Sequence, residues 1–185
     1  MKFLPLIFRM KHIKRWGLMQ NTRDENLSEH SLEVALIANL LSNIGNTYFG
    51  KSYNAEYITT QALFHDAQEI LTGDLPTPIK YYNKEITKVY KNIENEAKEK
   101  LLKTLPKELT EKYVNYFEDN NIIKAADKLA AYIKCKKEIN AGNKEFIQAE
   151  KNVKKLIEEI DLEELNFFLE HCMPAFELSL DELTK

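Results

Sequence analysis

Residues 26–41, NLSEHSLEVALIANLL, decide the fold class, because their apolar side chains recur with the 3.6-residue period of an amphipathic helix. Asn26 or Ser28 can cap the start of this helix, and Gly45 is predicted to end it. His30 lies on the apolar face, so the pattern directs an imidazole ring toward the protein interior. The other residues of that face are Val34, Ile37, Ala38 and Leu41.

The same period continues along almost the whole chain, and almost no segment shows the period of two that is typical of strands. Asn54 is predicted to start a helix that ends at Gly73, and Thr77-Pro78 to open a long helix that reaches Leu101. Further helices are predicted near Pro106, from Asn120 to Ala141, and from Lys144 onward with a break at Pro174. We predict an all-α bundle of about seven or eight helices, with residues 1–185 forming a single domain.

The composition limits the classes of function. The chain has 185 residues, of which 44% are apolar and 30% charged, and its 26 basic and 29 acidic side chains leave a net charge of −3. A dedicated nucleic-acid-binding protein would carry a basic face, so nucleic acid is not an expected partner. No uncharged apolar stretch approaches roughly 18 residues, so we expect no membrane partner either.

Two features of the sequence predict a cytoplasmic location. The first eight residues begin like a secretory leader, but Arg9 and the lysines after it interrupt the apolar run, and no small-residue cleavage site follows. Cys135 and Cys172 have neither a zinc-binding spacing nor the pattern of a disulfide framework. Such cysteines are typical of free thiols in a reducing compartment.

Polar residues occupy three positions where the helical pattern expects apolar ones. His30 is the first, His65-Asp66 the second, with Glu69 one turn further on, and Asp127, which lies in an alanine-rich helix, the third. A single inward histidine is commonly a hydrogen-bonded core residue, but burying an unpaired carboxylate costs several kcal/mol. Two histidines and two aspartates on three inward faces are best explained together, as ligands of one divalent cation. A set of nitrogen and oxygen ligands without thiolate favours an open octahedral site for Mn, Fe, Co or Mg over a closed tetrahedral zinc site.

The order His, His-Asp, Asp resembles the signature of the HD phosphohydrolase superfamily, and the surrounding sequence is similar to that of the YfbR-type 5′-deoxynucleotidases. The stretches that carry this resemblance are Arg15-Trp16, Glu25-Asn26, Glu29-His30-Ser31, residues 65–69, residues 71–81, residues 125–127, residues 131–135 and residues 179–182. The string from Gly73 to Lys80, together with Arg15-Trp16, is more specific than the His-Asp pair. The resemblance covers most of the chain and implies a helical HD-domain bundle.

The resemblance also implies an activity, a cofactor and an assembly. The expected reaction is metal-dependent hydrolysis of deoxyribonucleoside 5′-monophosphates to deoxyribonucleoside and phosphate. Its metal ligands match His30, His65, Asp66 and Asp127. The expected cofactor is one divalent ion, Co²⁺ or Mn²⁺, with Mg²⁺ or Zn²⁺ as alternatives, and the expected assembly is a homodimer.

The remaining site residues are assigned by the same resemblance. Glu69 matches the acid that orients or deprotonates the attacking water, and Asp74 matches a second acid that acts on the leaving group or the sugar. Arg15 is expected to bind the phosphate, and Trp16 to pack against the deoxyribose and disfavour a 2′-hydroxyl. Leu75, Pro76 and Thr77 are expected to line the nucleoside, while His30, Asp66 and Asp127 would also contact the substrate.

Other interpretations of these residues stay open at this point. A deoxynucleoside triphosphate triphosphohydrolase would need a larger cationic pocket, and a non-catalytic helical metal-binding module would need no additional carboxylates. Without the resemblance, Arg15 and Trp16 fit an ordinary surface arginine and an ordinary core aromatic. Glu69 fits a salt-bridge partner at a helix end, and Asp74 fits a turn residue after Gly73.

Overall fold

The computed structural model describes residues 1–80 and 82–185, except for the side chain of Thr77. The α-helices in this part of the chain are α1 (Phe3–Ile7), α2 (Leu27–Tyr48), α3 (Ala55–Ala62), α4 (Glu69–Thr72), α5 (Thr77–Lys80), α6 (Lys84–Leu102), α7 (Lys107–Tyr113), α8 (Asn121–Asn140), α9 (Ile147–Glu158), α10 (Glu163–His171) and α11 (Leu180–Leu183). Short 3₁₀ helices span Phe8–His12, Val114–Phe117, Lys144–Phe146 and Met173–Glu177.

The predicted all-α class is confirmed. Seven of the helices have seven residues or more, which agrees with the predicted number, and the other four are single turns of four or five residues. Within residues 1–80 and 82–185 there is no β-strand, only an isolated antiparallel bridge between Lys14 and Asn26. Among the described helices, none is both long enough and apolar enough to cross a membrane.

Asparagine caps start several helices where the sequence predicted them. The Asn26 Oδ1 atom accepts hydrogen bonds from the backbone N–H groups of Ser28 and Glu29, and the Glu29 side chain lies 3.4 Å from the Asn26 nitrogen in return. Asn54 and Asn120 likewise cap α3 and α8 through their side chains. Each cap satisfies backbone donors that the first helical turn leaves without partners.

Two predicted helix ends are wrong. Gly45 does not end α2, since the helix continues to Tyr48. A Cβ atom at Gly45 would lie 2.6 Å from the Glu164 Oε1 atom and 2.7 Å from the Tyr53 ring, so this glycine permits close packing rather than a turn. The second predicted helix also stops early, because α3 ends at Ala62 and Gly73, with φ +75°, follows the separate short helix α4.

The predicted long helix from Thr77 to Leu101 is divided in two. The first part is the four-residue α5, and α6 starts anew after Asn83, whose side chain accepts a hydrogen bond from the Ile86 N–H group. The buried side of α6 consists of Tyr90, Ala97, Leu101 and Leu102. The apolar period of this segment also predicts that Ile86, Val89 and Ile93 face inward, but their side chains are exposed.

The described chain divides into two compact units, and the chain passes from one to the other inside α2, inside α3 and just before α8. Unit 1 contains residues 1–33 and 60–119. Its core joins the N-terminal helices, the turn before α4 and the end of α6. The buried members of this core are Phe3, Met10, Leu27, Ala67, Leu101, Leu102, Leu105 and Phe117.

Unit 2 contains residues 34–59 and 120–185, and its centre is the packing of α8 against α9. The 3.6-residue period of α8 predicts a core face of Ile122, Ala126, Leu129 and Ile133, and all four side chains are buried. The helix ends before Gly142, which has φ +88° and therefore takes a conformation that favours glycine. That residues 1–185 act as a single domain stays a prediction.

Candidate functional site

Two short backbone segments of unit 1 pair with each other and bring Arg15 next to Glu25. The Arg15 N–H group donates to the Glu25 carbonyl at 3.0 Å, and the Leu27 N–H group donates to the Ile13 carbonyl at 2.9 Å. These bonds surround the Lys14–Asn26 bridge. The chain therefore enters α2 directly beside Arg15.

His30 lies in the first turn of α2, and its side chain is only 1% exposed. The ring nitrogens face two carboxylates. Nδ1 lies 3.7 Å from the Glu25 Oε1 atom, and Nε2 lies 3.9 Å from the Asp66 Oδ2 atom. The inward orientation predicted for His30 is thus confirmed, and the ring has one acidic neighbour on each side.

His65 and Asp66 lie in the turns that connect α3 to α4, rather than on a continuous helix. The His65 Nδ1 atom is 2.7 Å from the Ala62 carbonyl oxygen, which can only accept a hydrogen bond, so Nδ1 carries the proton. In the neutral ring the Nε2 lone pair then faces the Asp66 Oδ2 atom at 3.0 Å. A lone pair and a carboxylate at this distance repel each other unless Nε2 is protonated or one cation coordinates both atoms. This is the tautomer and orientation of a metal-ligating histidine.

His30, His65 and Asp66 of unit 1 form a group of side chains able to hold a metal ion. Ligand atoms of the three members in unit 1 lie within 4.8 Å of one another, and the two imidazole centroids are 5.4 Å apart. Asp127 lies on α8 of unit 2, where its Oδ2 atom is 2.7 Å from the Lys128 ammonium. Two imidazoles and two carboxylates fit a divalent cation.

Arg15 is not an ordinary surface arginine, because its side chain is only 12% exposed. Its Nε–H group donates to the Glu25 Oε1 atom at 2.9 Å, and its Nη1 atom lies 3.6 Å from the Asp66 Oδ2 atom. The guanidinium is thus held between two carboxylates, with its terminal nitrogens beside the histidine and aspartate cluster.

Glu69 is the first residue of α4 and is only 4% exposed. Burial, followed by the charges of Asp66 and Asp74, raises the pKa of its carboxyl to about 9, against the opposing effects of Arg15 and Lys80. Among the described residues, no group donates a hydrogen bond to its Oε2 atom. The interpretation of Glu69 as a salt-bridge partner at a helix end therefore does not fit. A raised pKa beside other charged groups is typical of acid–base residues.

Asp74 and Trp16 are brought together in unit 1. The Trp16 backbone N–H group donates to the Asp74 carboxylate, and burial raises the pKa of that carboxyl. Trp16 has φ +57°, an uncommon conformation for a bulky residue, and its carbonyl accepts a hydrogen bond from the Met19 N–H group at 2.9 Å. The ring is half-buried, so Trp16 is not an ordinary core aromatic.

The predicted nucleoside loop follows Asp74 directly. Leu75 and Pro76 are half-buried, and the Pro76 carbonyl accepts hydrogen bonds from the first turn after α5 begins. Thr77 starts α5, but its side chain lies outside the described part of the chain, as does Tyr81 of the same string. Lys80 pairs with Glu94 at 2.6 Å, so it is engaged within unit 1.

Glu25 is the one residue of this site to which sequence reasoning assigned no role. In the sequence analysis Glu25 belongs to one of the stretches that carry the family resemblance, without a function of its own. Its position opposite Arg15 depends on the backbone pairing of two segments ten residues apart. The available signal was its place immediately before the Asn26 cap, which ties it to the turn that carries His30.

Comparisons with known proteins identify the family of this chain. The family model of YfbR-like 5′-deoxynucleotidases matches residues 2–176. A 5′-deoxynucleotidase of Vibrio parahaemolyticus is 47% identical over 189 residues, which cover 98% of this chain and 97% of that protein. The 5′-deoxynucleotidase YfbR of Escherichia coli O127:H6 is 44% identical over 190 residues, which cover 99% and 96%.

Solved structures show the same fold. An HD-domain phosphohydrolase from Listeria innocua superposes with a TM-score of 0.83 at 19% identity, covering 100% of this chain and 92% of that one. The HD phosphohydrolase DatZ of cyanophage S-2L, solved with dA and one catalytic Zn²⁺ ion, has a TM-score of 0.63 at 23% identity and covers 92% and 96%. With a family match over residues 2–176 and relatives above 40% identity along nearly the whole chain, this protein belongs to the YfbR-like 5′-deoxynucleotidase family.

Proposed function

We propose that this protein is a metal-dependent phosphomonoesterase that hydrolyses deoxyribonucleoside 5′-monophosphates to deoxyribonucleoside and orthophosphate. The observation that carries this proposal is that one guanidinium group and two imidazole rings lie close to one carboxylate. The Asp66 Oδ2 atom lies 3.0 Å from His65, 3.6 Å from Arg15 and 3.9 Å from His30. The names of the family and of its curated relatives support the substrate class.

His30, His65, Asp66 and Asp127 would hold one divalent cation, and Co²⁺ or Mn²⁺ is the expected ion, with Mg²⁺ and Zn²⁺ as alternatives. When bound, such a cation lowers the pKa of water and stabilises negative charge on a phosphoryl oxygen. The same side chains, above all His30, Asp66 and Asp127, would then border the phosphate. The fixed tautomer of His65 supports this assignment, since it keeps the Nε2 lone pair directed at the site.

Arg15 would bind the phosphate oxygens. Its Nε–H group is already bonded to Glu25, and this bond orients the planar fork so that the terminal nitrogens lie on the side of Asp66. Arginine donors bind two oxygens of one phosphate in this way. In the transition state the same donors would stabilise charge on the equatorial oxygens.

Glu69 and Asp74 would be the two acidic residues that act on the attacking water and on the leaving oxygen or the sugar. Glu69, with its raised pKa, can hold a proton near neutral pH, and positive charge entering the cluster would favour its ionised form, which accepts the proton of the attacking water. Asp74 would act on the leaving oxygen or the sugar, since it is anchored to the Trp16 backbone. Trp16 would pack against the deoxyribose, and Leu75, Pro76 and Thr77 would line the nucleoside.

We also infer a cytoplasmic homodimer. Exposed leucines near the C-terminus support an interface between copies; they are Leu178, Leu180 and Leu183. Light scattering coupled to size-exclusion chromatography measures the mass directly, and a monomer at micromolar concentration would contradict this inference.

Product analysis tests the activity. The protein is stripped with chelator, Co²⁺, Mn²⁺, Mg²⁺ or Zn²⁺ is restored singly, and dAMP, AMP, dATP and 3′-dAMP are offered. We expect orthophosphate from dAMP but not from AMP, and only with metal. Triphosphate released from dATP would instead make the protein a triphosphohydrolase. No turnover with tightly bound metal would support the non-catalytic module.

A further inference from the structure

We propose that Glu25 is a positioning residue that orients two parts of the site at once, the Arg15 fork and the His30 imidazole. This inference rests on the proposed function for the role of Arg15 and on the proposed metal set for the role of His30. Glu25 itself would touch neither the substrate nor the metal.

The geometry around one oxygen atom carries the proposal. The Glu25 Oε1 atom accepts a hydrogen bond from Arg15 Nε at 2.9 Å and lies 3.7 Å from His30 Nδ1. All three side chains are largely withdrawn from solvent, with exposed fractions of 11% for Glu25, 12% for Arg15 and 1% for His30. Because solvent screens these charges little, the carboxylate acts on both neighbours more strongly than a surface pair would.

The backbone fixes Glu25 in this position. Its carbonyl accepts the Arg15 N–H bond, so the two residues face each other across the short pairing around the Lys14–Asn26 bridge. The next residue, Asn26, caps the helix that carries His30. These hydrogen bonds hold the Glu25 backbone between Arg15 and the start of α2.

The chemistry of each contact assigns a function to it. Metal-ligating histidines usually donate their second ring N–H group to a carboxylate or carbonyl, which sets the tautomer. Glu25 stands on the Nδ1 side of His30, so it favours a proton on Nδ1 and leaves the lone pair on Nε2, which faces Asp66. For His65 the Ala62 carbonyl does the same.

The second contact prevents a competing ion pair. Arg15 lies between Glu25 and Asp66, with Nη1 already 3.6 Å from the Asp66 Oδ2 atom. Without the bond to Glu25, the guanidinium would approach Asp66 and neutralise a carboxylate that the metal requires. By binding Arg15, Glu25 would leave the terminal guanidinium nitrogens able to bind phosphate and the Asp66 carboxylate able to bind the cation.

Glu25→Gln tests this role, because glutamine keeps the size and one acceptor oxygen but removes the charge. Asp24→Asn is the matched control, since Asp24 is the neighbouring acid, largely exposed and paired with Lys14. We expect Glu25→Gln to weaken Co²⁺ binding, measured by calorimetry and by the visible spectrum of the Co²⁺ protein, by roughly 10- to 100-fold. The inhibition constant of inorganic phosphate and the KM for dAMP should rise about tenfold, while Asp24→Asn leaves all three within twofold.

Glu25→Asp keeps the charge but shortens the side chain, so it should recover most of the Co²⁺ affinity and less of the phosphate affinity. It also replaces Glu25→Gln if that variant fails to fold by circular dichroism. Co²⁺ and phosphate binding by Glu25→Gln within twofold of the parent would overturn the proposal, as would a lower kcat with both affinities unchanged. A parent that binds Co²⁺ but does not hydrolyse dAMP would overturn the proposed function alone, since Co²⁺ binding still reports on Glu25.

Discussion

Both units bury glutamate side chains, and Glu138 of unit 2 differs from Glu69 of unit 1 in the partners of its carboxylate. In unit 2, Glu138 is 2% exposed, pairs with the Lys134 ammonium four residues earlier and accepts a hydrogen bond from the Asn143 side chain at 2.9 Å. In unit 1, Glu69 is 4% exposed, and no described group donates to its Oε2 atom.

The difference separates a structural charge from a reactive one. The desolvation cost of Glu138 is offset by a cation and an amide, as is typical of a structural buried charge. For Glu69, no residue in the described part of the chain donates a hydrogen bond to Oε2, and burial beside Asp66 and Asp74 raises its pKa to about 9. A buried carboxyl group whose cost is left uncompensated is typical of acid–base catalysis.

The largest expected effect comes from removing the reactive carboxyl. Glu69→Gln should lower kcat for dAMP by about a thousandfold, or about 4 kcal/mol, because the amide cannot accept the proton of the attacking water. Steady-state kinetics with the Co²⁺-loaded variant measure this loss. Co²⁺ affinity should stay within a few-fold of the parent, and unchanged turnover would show that Glu69 is not the acid–base residue.

Breaking the structural pair should affect stability instead of turnover. Lys134→Met leaves Glu138 buried without its cation and should lower the free energy of unfolding by about 3 kcal/mol. Urea denaturation at pH 7 measures the change, and kcat of the folded variant should stay within twofold of the parent. The double variant Lys134→Met/Glu138→Leu should recover most of the stability, whereas an equally unstable double variant would contradict a charge effect.

A smaller loss is expected from crowding another buried carboxylate of unit 2. Gly45→Ala would place a Cβ atom 2.6 Å from the Glu164 Oε1 atom and 2.7 Å from the Tyr53 ring, and overpacking of this kind costs about 2 kcal/mol. Thermal unfolding compared with Gly17→Ala, where a Cβ atom would meet no neighbour within 4 Å, measures the effect. Equal melting temperatures for the two variants would show that the close packing around Gly45 is unimportant.

The smallest expected effect is on the pH dependence of stability, which separates the protonated Glu69 from the paired Glu138. In the metal-free protein, the raised pKa of Glu69 means that the unfolded chain ionises above about 4.5 while the folded chain keeps the proton up to about 9. The free energy of unfolding of the parent should therefore fall as the pH rises through this window, and Glu69→Gln should lack this contribution. We expect the variant to gain about 1 kcal/mol on the parent between pH 5 and pH 6 in urea titrations with chelator, because one pH unit inside this window is worth about 1.4 kcal/mol for a single group. A pH-independent difference between the two proteins would contradict the raised pKa.

Local signals in the sequence determined the fold class and much of the site. The 3.6-residue period, the Asn26 and Asn120 caps and the stop at Gly142 depend on neighbouring residues along one helix, so they could be predicted. The inward orientation of His30 followed from the same period. The family resemblance supplied the substrate class, which spacing alone does not contain.

The tertiary structure decided what depends on distant segments. The wrong prediction that Gly45 ends a helix is one example. The residues that pack against Gly45 are Tyr53 and Glu164, which follow it by eight residues and by more than a hundred, so its local sequence does not show them. The role of Glu25 depends on its pairing with Arg15 across a loop, and the raised pKa of Glu69 depends on burial by several segments. Sequence periodicity reports which face of a helix is apolar, whereas desolvation and charge pairing depend on which segments meet, and only the folded chain brings those segments together.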